Sequence, residues 1–411
     1  MTRLKGFRKL TPVDDALNQY VTVLRAKALE GVLVSVEEAL GRVTAEEIVA
    51  QRSLPPFDRS AVDGYAVRAS DTVEATVHRP STLTLTSGDQ VVVGSAREVW
   101  TGNPLPKGVD AVIMLEHVVA DGNTLRVLTP LPPGANVSKK GEDVSTGEIA
   151  IASGVRVTPY HLGLVTSLGC EKIHVVRKPI VAILSTGSEL VPLGTAQESG
   201  QIIESNSVVL KGMCRELGAE PSHLGIAGDD VEEIRKKIQK GCSVADVVLT
   251  TGGTSVGADD LVTKAIVDAD GGRVVVHGIA MRPGMPTALA VVKRKPVIVL
   301  SGNPVAAIVG FEVFVRPLIQ RLLGVKDEGR PVVAGRVSRR VVGALGRRVY
   351  VRVQLRKEGG ELYVDPIRAK GSGIITTMTR ADGYLIIPHD REGVDEGEVV
   401  LVHLLKWKGA S

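Results

Sequence analysis

Three segments rich in glycine, serine and threonine each follow a short apolar run: Ser185–Glu189, Thr250–Gly257 and Ser301–Pro304. Glycine lets a ligand approach backbone N–H groups, and the hydroxyl groups add donors. Asn303, with Pro304 at a first helical position, opens a helix whose positive end favours an anion. Together the segments predict a phosphate-type anion site, formed by Ser185, Thr186, Gly187, Gly252, Gly253, Ser255, Gly257, Ser301, Gly302, Asn303 and Pro304.

Acidic residues accompany these segments: Glu189, the pair Asp229–Asp230 and the pair Asp259–Asp260. An anion site needs no carboxylates unless a cation binds too, and Mg2+ held by one or two carboxylates and by phosphate oxygens would account for them. Glu189 favours this interpretation, because a carboxylate beside a phosphate is unfavourable without a metal or a proton. For Asp230 and Asp260, simple stabilisation of the following helix start remains an open alternative.

Further polar segments could contribute to a site. In Met281–Thr287, Arg282 stands before Pro283 and could hold an oxyanion in its guanidinium fork, although a solvated arginine in a rigid turn is equally open. In the N-terminal half, Pro55–Ala66 places two carboxylates, an arginine and a serine in one ordered loop. Similar polar loops occur at Thr101–Pro104 and Lys139–Asp143.

Alternating strands and helices must position the anion segments. The pattern indicates strands at Ile180–Leu184, Val247–Thr250 and Val297–Leu300, and helices at Asn206–Leu217, Val231–Lys240, Asp260–Ala269 and Asn303–Leu323. It predicts a doubly wound α/β domain with a largely parallel sheet, whose carboxyl edge binds ligands. Pro317 predicts a kink or an early end in the last helix.

The rest of the chain has other patterns. A helix is predicted from Thr11, its N-cap, to Gly31, its end. Ser53–Gly147 is predicted to be β-rich, with strands at Thr82–Thr86, Gln90–Val93 and Ala111–Leu115, and a separate β-domain is predicted beyond Arg330. There, Arg348, Arg352 and Arg356 alternate with valines, which favours a solvated sheet face over an RNA-binding surface.

Composition excludes several classes of protein. The 411 residues carry a formal net charge of +4 and 3% aromatic residues, which argues against nucleic acid as a partner. Three cysteines without a CxxC pair, and histidines without metal-ligand spacing, predict neither disulfides nor a zinc site. The absence of a P-loop and of a strand-linked GxGxxG disfavours ATPases and dinucleotide enzymes. We expect no membrane partner and a cytoplasmic location, because we find no signal peptide or sufficiently long apolar stretch.

An ordered series of motifs resembles one family along essentially the whole chain. The motifs are PPFDRSAVDGYAV (Pro55–Val67), TGNPLP (Thr101–Pro106), KKGEDV (Lys139–Val144), STGSEL (Ser185–Leu190), TTGGTSVGADD (Thr250–Asp260), MRPGMP (Met281–Pro286) and SGNPVAA (Ser301–Ala307). They are similar to those of the molybdopterin molybdenumtransferases, the MoeA family, which includes the E domain of gephyrin.

The resemblance implies a multidomain α/β protein with a central doubly wound, molybdopterin-binding-like domain. It implies an N-terminal helix packing on that domain at 1–30, a linker and helical domain at 31–52 and 145–178, and a β-rich loop domain at 53–144. The α/β domain would span 179–328, and a C-terminal β-barrel-like domain 329–411. It further implies a homodimer in which the cleft lies between the α/β domain of one subunit and N-terminal domains of the other.

The resemblance also implies an activity and site residues. Adenylylated molybdopterin and molybdate (or tungstate) would be the substrates, and the metal would be inserted with Mg2+-dependent release of AMP. Asp63, Glu189 and Asp260 would be catalytic, with Asp260 and Glu189 as Mg2+ ligands. Thr101, Asp143, Arg282, Pro283 and Ser372 would bind substrate, and Lys370–Gly373 would close over the site.

Three departures from the family pattern lie where, as the resemblance implies, the oxyanion or the pterin phosphate would be handled. Arg282 stands where a lysine is frequent, and Ser301 where a proline is common, while Met285 replaces a second lysine of some members.

Two alternatives remain open: a molybdopterin adenylyltransferase, which would otherwise be the pathway partner, and a gephyrin-like scaffold that binds a peptide through its C-terminal domain. The N-terminal loops and C-terminal domain argue against the first, and the retained acidic residues against the second.

Overall fold

The computed structural model describes residues 10–253, 260–325, 328–367 and 371–405. The chain divides into two compact units, one formed by Leu33–Val175 and the other by Met1–Val32 with Val176–Ser411. Within the described residues, no helix has the length and hydropathy needed to cross a membrane.

The first helix, α1 (Val13–Leu24), has two acidic residues in its first turn, where the helix dipole favours them. The predicted ends were wrong, because the residue before the helix is Pro12, without a side-chain cap. The helix stops where Arg25 adopts a left-handed backbone (φ 49°), well before Gly31. The hydroxyl of Tyr20 donates to the carbonyl oxygen of Ala290 over 2.9 Å, which anchors the helix to the α/β domain.

From Gly31 to Val176 the chain is rich in short strands. They are β1 (Gly31–Ser35), β2 (Ile48–Val49), β3 (Arg59–Ser60), β4 (Gly64–Val67), β5 (Ser81–Leu85), β6 (Ser95–Val99), β7 (Ala111–Met114), β8 (Val118–Asp121), β9 (Thr124–Val127), β10 (Val137–Ser138), β11 (Ile149–Ile151) and β12 (Lys172–Val176); the helix is α2 (Pro159–Ser167). Six strands form one sheet in the order β7-β4-β6-β5-β9-β8. Its buried side includes Ile113, Leu125 and Val127.

One strand predicted in this unit was wrong. Gln90–Val93 contributes a single bridge, from Gln90 to Lys107, and Val92 and Val93 are exposed. The chain turns at once through Gly94, whose φ is 74°. Valine content alone therefore did not make this segment a strand.

The α/β domain follows. Its elements are β13 (Ile180–Thr186), β14 (Leu190–Val191), β15 (Ile202–Ile203), α3 (Asn206–Glu216), β16 (Glu220–Ala227), α4 (Val231–Val244), β17 (Val247–Thr251), α5 (Leu261–Val267), β18 (Arg273–His277), β19 (Met281–Arg282), β20 (Ala288–Val292), β21 (Lys295–Leu300), α6 (Pro304–Gly310) and α7 (Arg316–Leu322). The sheet order is β16-β13-β17-β21-β20-β18, in which the first four strands are parallel. Strand β20 runs antiparallel to both of its neighbours, β21 and β18. Helices α4 and α5 contact each other, as do α3 and α6. The predicted doubly wound domain is confirmed.

The last helical segment is interrupted, as Pro317 predicted. Regular α-helix ends at Gly310, a π-helical turn spans Phe311–Val315, and α7 begins with Pro317 in its first turn. Proline has no N–H for the preceding turn and its ring crowds the carbonyl four residues earlier. The break therefore precedes the proline, and the predicted single helix is two.

The C-terminal segment forms β22 (Val332–Val337), β23 (Val341–Val342), β24 (Arg348–Glu358), β25 (Glu361–Pro366), α8 (Thr376–Arg380), β26 (Gly383–Ile387), β27 (Gly393–Val394) and β28 (Val399–Leu404). Strands β24, β25, β22, β28 and β26 close into a five-stranded barrel, because β26 also pairs with β24. Val353, Val364 and Val402 lie in its buried core. The expected barrel-like domain is confirmed, and β19 of the α/β domain adds to it by pairing with β24.

Candidate functional site

The three predicted anion segments meet at one edge of the α/β sheet. Strands β13, β17 and β21 are adjacent and parallel, with Ser185 beside Thr251 and Thr251 beside Leu300. The N–H of Gly252 donates to the carbonyl oxygen of Leu300, and the hydroxyl of Thr186 to that of Thr251. Ser255, Gly257 and Asp259 lie outside the described residues.

A cavity of about 610 Å³, here called the loop cavity, opens between these segments. Of the residues predicted from sequence, it is lined by Thr186, Glu189, Gly252, Gly253, Ser301, Gly302, Asn303 and Pro304. Ser185 is not among the lining residues. It is fully buried, and its hydroxyl has no hydrogen-bond partner among the described residues. The lining also includes Glu204 and Asn206, which the sequence analysis missed.

Glycine is required at Gly252 for two reasons. Its φ is 85°, and a Cβ added there would lie 2.1 Å from the carbonyl oxygen of Thr186. At Gly187 an added Cβ would lie 2.6 Å from a carboxylate oxygen of Glu189, so the carboxylate packs directly over that glycine. The close approach of backbone and side chain here depends on residues without a Cβ.

The acidic residues around the sheet edge have separate roles. Asp230 accepts from the N–H groups of Glu232 and Glu233 at the start of α4, and Asp260 from the N–H of Thr263 at the start of α5. Stabilisation of the start of the following helix, the alternative left open by the sequence, therefore applies to both Asp230 and Asp260. Asp229 instead joins the loop after β13, since its N–H donates to the hydroxyl of Ser188.

Among the described residues, no group of three or more His, Cys, Asp or Glu is arranged to hold a metal ion. The donor set still fits Mg2+, which takes one or two carboxylates and completes its shell with substrate phosphate and water. Asp260 is 4% exposed, and its Oδ2 has no hydrogen-bond partner among the described residues. Glu189 lines the loop cavity, whereas Asp260 is not among its described lining residues.

A second cavity, of about 480 Å³ and here called the arginine cavity, is lined in part by the paired strands β19 and β24. Arg282, Arg347 and Arg352 line it with Tyr350 and Ser372, and its described lining contains no aspartate or glutamate. Pro283 and Ser301 also line it. A cavity with cationic side chains therefore lies beside the loop cavity.

The predicted solvated face of the arginines on β24 was wrong for two of the three. Arg348 pairs with Asp14, with Nη2 and Oδ2 2.6 Å apart, and Arg352 is half-buried in the arginine cavity. Arg356 is exposed, as expected. Burial, and then the positive charge of Arg282, lower the pKa of Arg352.

The two cavities share a wall made by Ser301 and Asn303. The Ser301 hydroxyl accepts from the N–H of Asn303 over 3.3 Å. The segment after the barrel strand β25 lies against this wall, because the N–H of Val305 donates to the carbonyl oxygen of Ser372 over 3.1 Å. Ser372 belongs to the arginine cavity and Gly373 to the loop cavity.

In the Leu33–Val175 unit, the structure brings Asp63 and Thr101 together. Oδ1 of Asp63 accepts from both the N–H and the hydroxyl of Thr101, each over 2.8 Å. These two bonds lower the pKa of Asp63. Asp143 lies in a neighbouring exposed loop, which is tied to Pro55–Ala66 by the bond from the N–H of Lys140 to Asp58.

Three family models match consecutive parts of the chain. They describe a MoeA N-terminal region (domain I and II) at residues 11–169, a probable molybdopterin binding domain at 182–321, and a MoeA C-terminal region (domain IV) at 334–405. The chain belongs to the MoeA family. The resemblance of its motifs is thereby confirmed.

Named relatives and a solved structure of this family are similar to the chain over most of its length. A molybdopterin molybdenumtransferase of Mycobacterium tuberculosis is 35% identical, over 91% of this chain and 95% of the relative. That of Bacillus subtilis is 33% identical, over 97% and 95%. The crystal structure of a MoeA molybdopterin biosynthesis protein from Pyrococcus horikoshii is 33% identical, covers 96% of this chain and all of that one, and has a TM-score of 0.84. These similarities confirm the expectation that the protein is an enzyme, a transferase of molybdenum cofactor synthesis.

Proposed function

We propose that this protein inserts molybdate or tungstate into adenylylated molybdopterin and releases AMP. The observation that carries the proposal is the arginine cavity next to the loop cavity. Nε of Arg352 is buried and has no hydrogen-bond partner among the described residues. A buried donor without a partner is costly, so an oxyanion in this cavity would satisfy it.

The arginine cavity suits a small tetrahedral oxyanion. Burial lowers the pKa of Arg352 most, and the positive charge of the neighbouring Arg282 lowers it further. The two guanidinium groups therefore repel each other. A bound anion removes this repulsion and accepts charge-assisted hydrogen bonds from both. The side chains of Tyr350 and Ser372 line the same cavity and add hydroxyl donors.

The loop cavity suits the larger, phosphate-bearing substrate. Glycine residues at Gly252, Gly253 and Gly302 expose backbone to the ligand, and Thr186 and Ser301 supply hydroxyl groups. Because Ser301 and Asn303 also face the arginine cavity, the substrate and the oxyanion would lie side by side. This adjacency supports transfer of the metal to the pterin within one cleft.

Glu189 and Asp260 are the proposed Mg2+ ligands, and Mg2+ would neutralise negative charge on the phosphate groups as AMP leaves. Without a cation, Glu189 would repel a phosphate in the loop cavity. Oδ2 of Asp260 is a buried acceptor that makes no hydrogen bond to a described residue, although Nε2 of His277 lies 3.1 Å away. Both carboxylates thus have a chemical reason to bind a cation together with the substrate.

The proposal includes a homodimer. Asp63, Thr101 and Asp143 would be supplied to the cleft by the second subunit, as the resemblance implies. The bonds from Thr101 keep Asp63 ionised and fixed, which suits a group that contacts substrate or orients a donor. The adenylylated substrate would come from a separate molybdopterin adenylyltransferase, and the reaction would take place in the cytoplasm.

AMP release tests the proposed function. Purified protein is given adenylylated molybdopterin and Mg2+, with molybdate, with tungstate or with neither, and AMP and metal-loaded cofactor are measured together. We expect AMP to appear with an oxyanion and in proportion to metal-loaded cofactor. Tight binding of the substrate without AMP release under any condition would contradict the proposal and favour a scaffold or an adenylyltransferase.

A further inference from the structure

The carboxylate of Asp260 is used only in part by the helix that it precedes. Oδ1 accepts a 2.9 Å hydrogen bond from the N–H of Thr263. The Asp260 side chain is 3% exposed, yet Oδ2 makes no hydrogen bond to any described residue. Stabilising the start of α5 therefore explains one carboxylate oxygen and leaves the other without a role.

The imidazole of His277 lies next to that second oxygen. Nε2 of His277 is 3.1 Å from Oδ2 of Asp260, at ion-pair distance but outside hydrogen-bond alignment. His277 is the last residue of β18 and is fixed there by its pairing with Ala288 of β20. The ring thus reaches Asp260 from the sheet, independently of α5.

We propose that His277 is a positioning residue, which holds Oδ2 of Asp260 in the orientation that receives a divalent cation. The inference rests on the proposed function for the identity of that cation as Mg2+. A carboxylate anchored through Oδ1 alone can still tilt, and a second contact at Oδ2 limits that motion. Groups that contact a ligating carboxylate in this way tune metal affinity, and their loss costs about 10–100-fold.

A purely structural pair would behave differently. If His277 only stabilised the junction of α5 and β18, replacing it would lower the melting temperature and leave cation affinity unchanged. If it positions Oδ2, affinity falls even in a variant that melts like the wild type. The two roles are therefore separated by measuring both quantities on the same variants.

The test uses Mn2+ as a spectroscopic substitute for Mg2+, titrated into the full chain in the presence of AMP and followed by electron paramagnetic resonance. We expect His277→Leu to weaken Mn2+ binding about 10–100-fold, and His277→Gln, which keeps a side-chain nitrogen donor, to restore much of it. Asp260→Asn should remove the site. His174→Leu is the matched control, because Nδ1 of His174 lies 2.6 Å from Oε1 of Glu46 in an exposed histidine–carboxylate pair of the other unit.

The inference would be overturned if His277→Leu or Asp260→Asn bound Mn2+ as tightly as the wild type does. It would also be overturned if the wild type bound no Mn2+. If His277→Leu does not fold, the wild type is compared with His277→Gln and His277→Ala: equal affinity in all three contradicts the positioning role. Failure of the wild-type protein to release AMP while His277 variants still lose Mn2+ would count against the proposed function and leave this inference standing.

Discussion

At the scale of single residues, the site depends on close approaches that leave no room for a side chain. Gly252 combines a left-handed backbone with a space that the carbonyl oxygen of Thr186 fills. Gly187 gives the same room to the carboxylate of Glu189. The geometry of the loop cavity thus depends on glycines, which permit these close contacts, as much as on functional groups.

Gly252→Ala should therefore both destabilise the protein and disturb the loop cavity. Positive φ and the steric clash together should cost about 3 kcal/mol or more. The matched control is Gly200→Ala, because Gly200 has nearly the same φ, 87°, but nothing within 4 Å of an added Cβ. Its cost should stay near 1–2 kcal/mol. Thermal unfolding and AMP release are measured for both, and equal effects would contradict the steric argument.

At the scale of elements, a buried charge cluster joins the interrupted helix to the barrel. Glu312, in the π-helical turn, accepts bidentate bonds from Arg330 and from Arg316. Arg330 also donates to the carbonyl oxygen of Leu404 at the end of β28. The cluster therefore fixes the place where the chain leaves the α/β domain and enters the barrel.

The ionisation of Glu312 should make this junction sensitive to acid. Burial opposes the charge, but the bonds from Arg330 and Arg316 outweigh it and hold the pKa of Glu312 below its ordinary value of 4.5. A carboxyl group with a lowered folded-state pKa stabilises above its unfolded-state pKa, and this contribution is lost as pH falls through the folded-state value.

Glu312→Gln should cost about 3 kcal/mol at neutral pH, because two arginines are left without their charge partner. The difference from the wild type should shrink as pH falls below 4.5. Unfolding is followed at several pH values in both proteins. A difference that does not depend on pH would show that the charge of Glu312 contributes nothing to stability.

The elements also show what the sequence could predict. Strands β13, β17 and β21 were predictable because long apolar runs followed by glycine are typical of buried parallel strands. The burial of Arg352 in a cavity could not be predicted in this way. A two-residue period places Arg348, Arg352 and Arg356 on one face of a strand, but it does not show which residues cover that face. The residues that line the cavity with Arg352 include Arg282, Ser301 and Asn303. A contact between segments so distant in the chain leaves no local pattern. Similarly, the end of α1 at Arg25 depends on the path of the following loop.

At the scale of the whole molecule, the proposed site residues belong to two compact units. Asp63, Thr101 and Asp143 lie in one unit, and both cavities lie in the other. If the proposed homodimer completes each cleft with loops from the second subunit, every active site contains residues of both chains.

Mixing two inactive variants tests this arrangement. Asp63→Asn and Arg352→Gln should each lose activity, but a heterodimer formed from them would contain one cleft with neither substitution. After subunit exchange, AMP release should rise well above that of either variant alone. The same variants kept separate, and mixtures of each with itself, serve as controls. Persistently inactive mixtures, with exchange verified by labelled subunits, would contradict a shared cleft.

The most direct test of the account is equilibrium dialysis of molybdate against the wild type, Arg352→Gln and Arg356→Gln. Arg352 lines the arginine cavity, and its buried Nε has no hydrogen-bond partner among the described residues. Arg356, on the same strand, is exposed and pairs with Asp365. We predict saturable binding by the wild type and by Arg356→Gln, and an affinity lower by about tenfold or more in Arg352→Gln, since a charge-assisted bond is lost. Equal molybdate affinity in Arg352→Gln and the wild type would contradict the account.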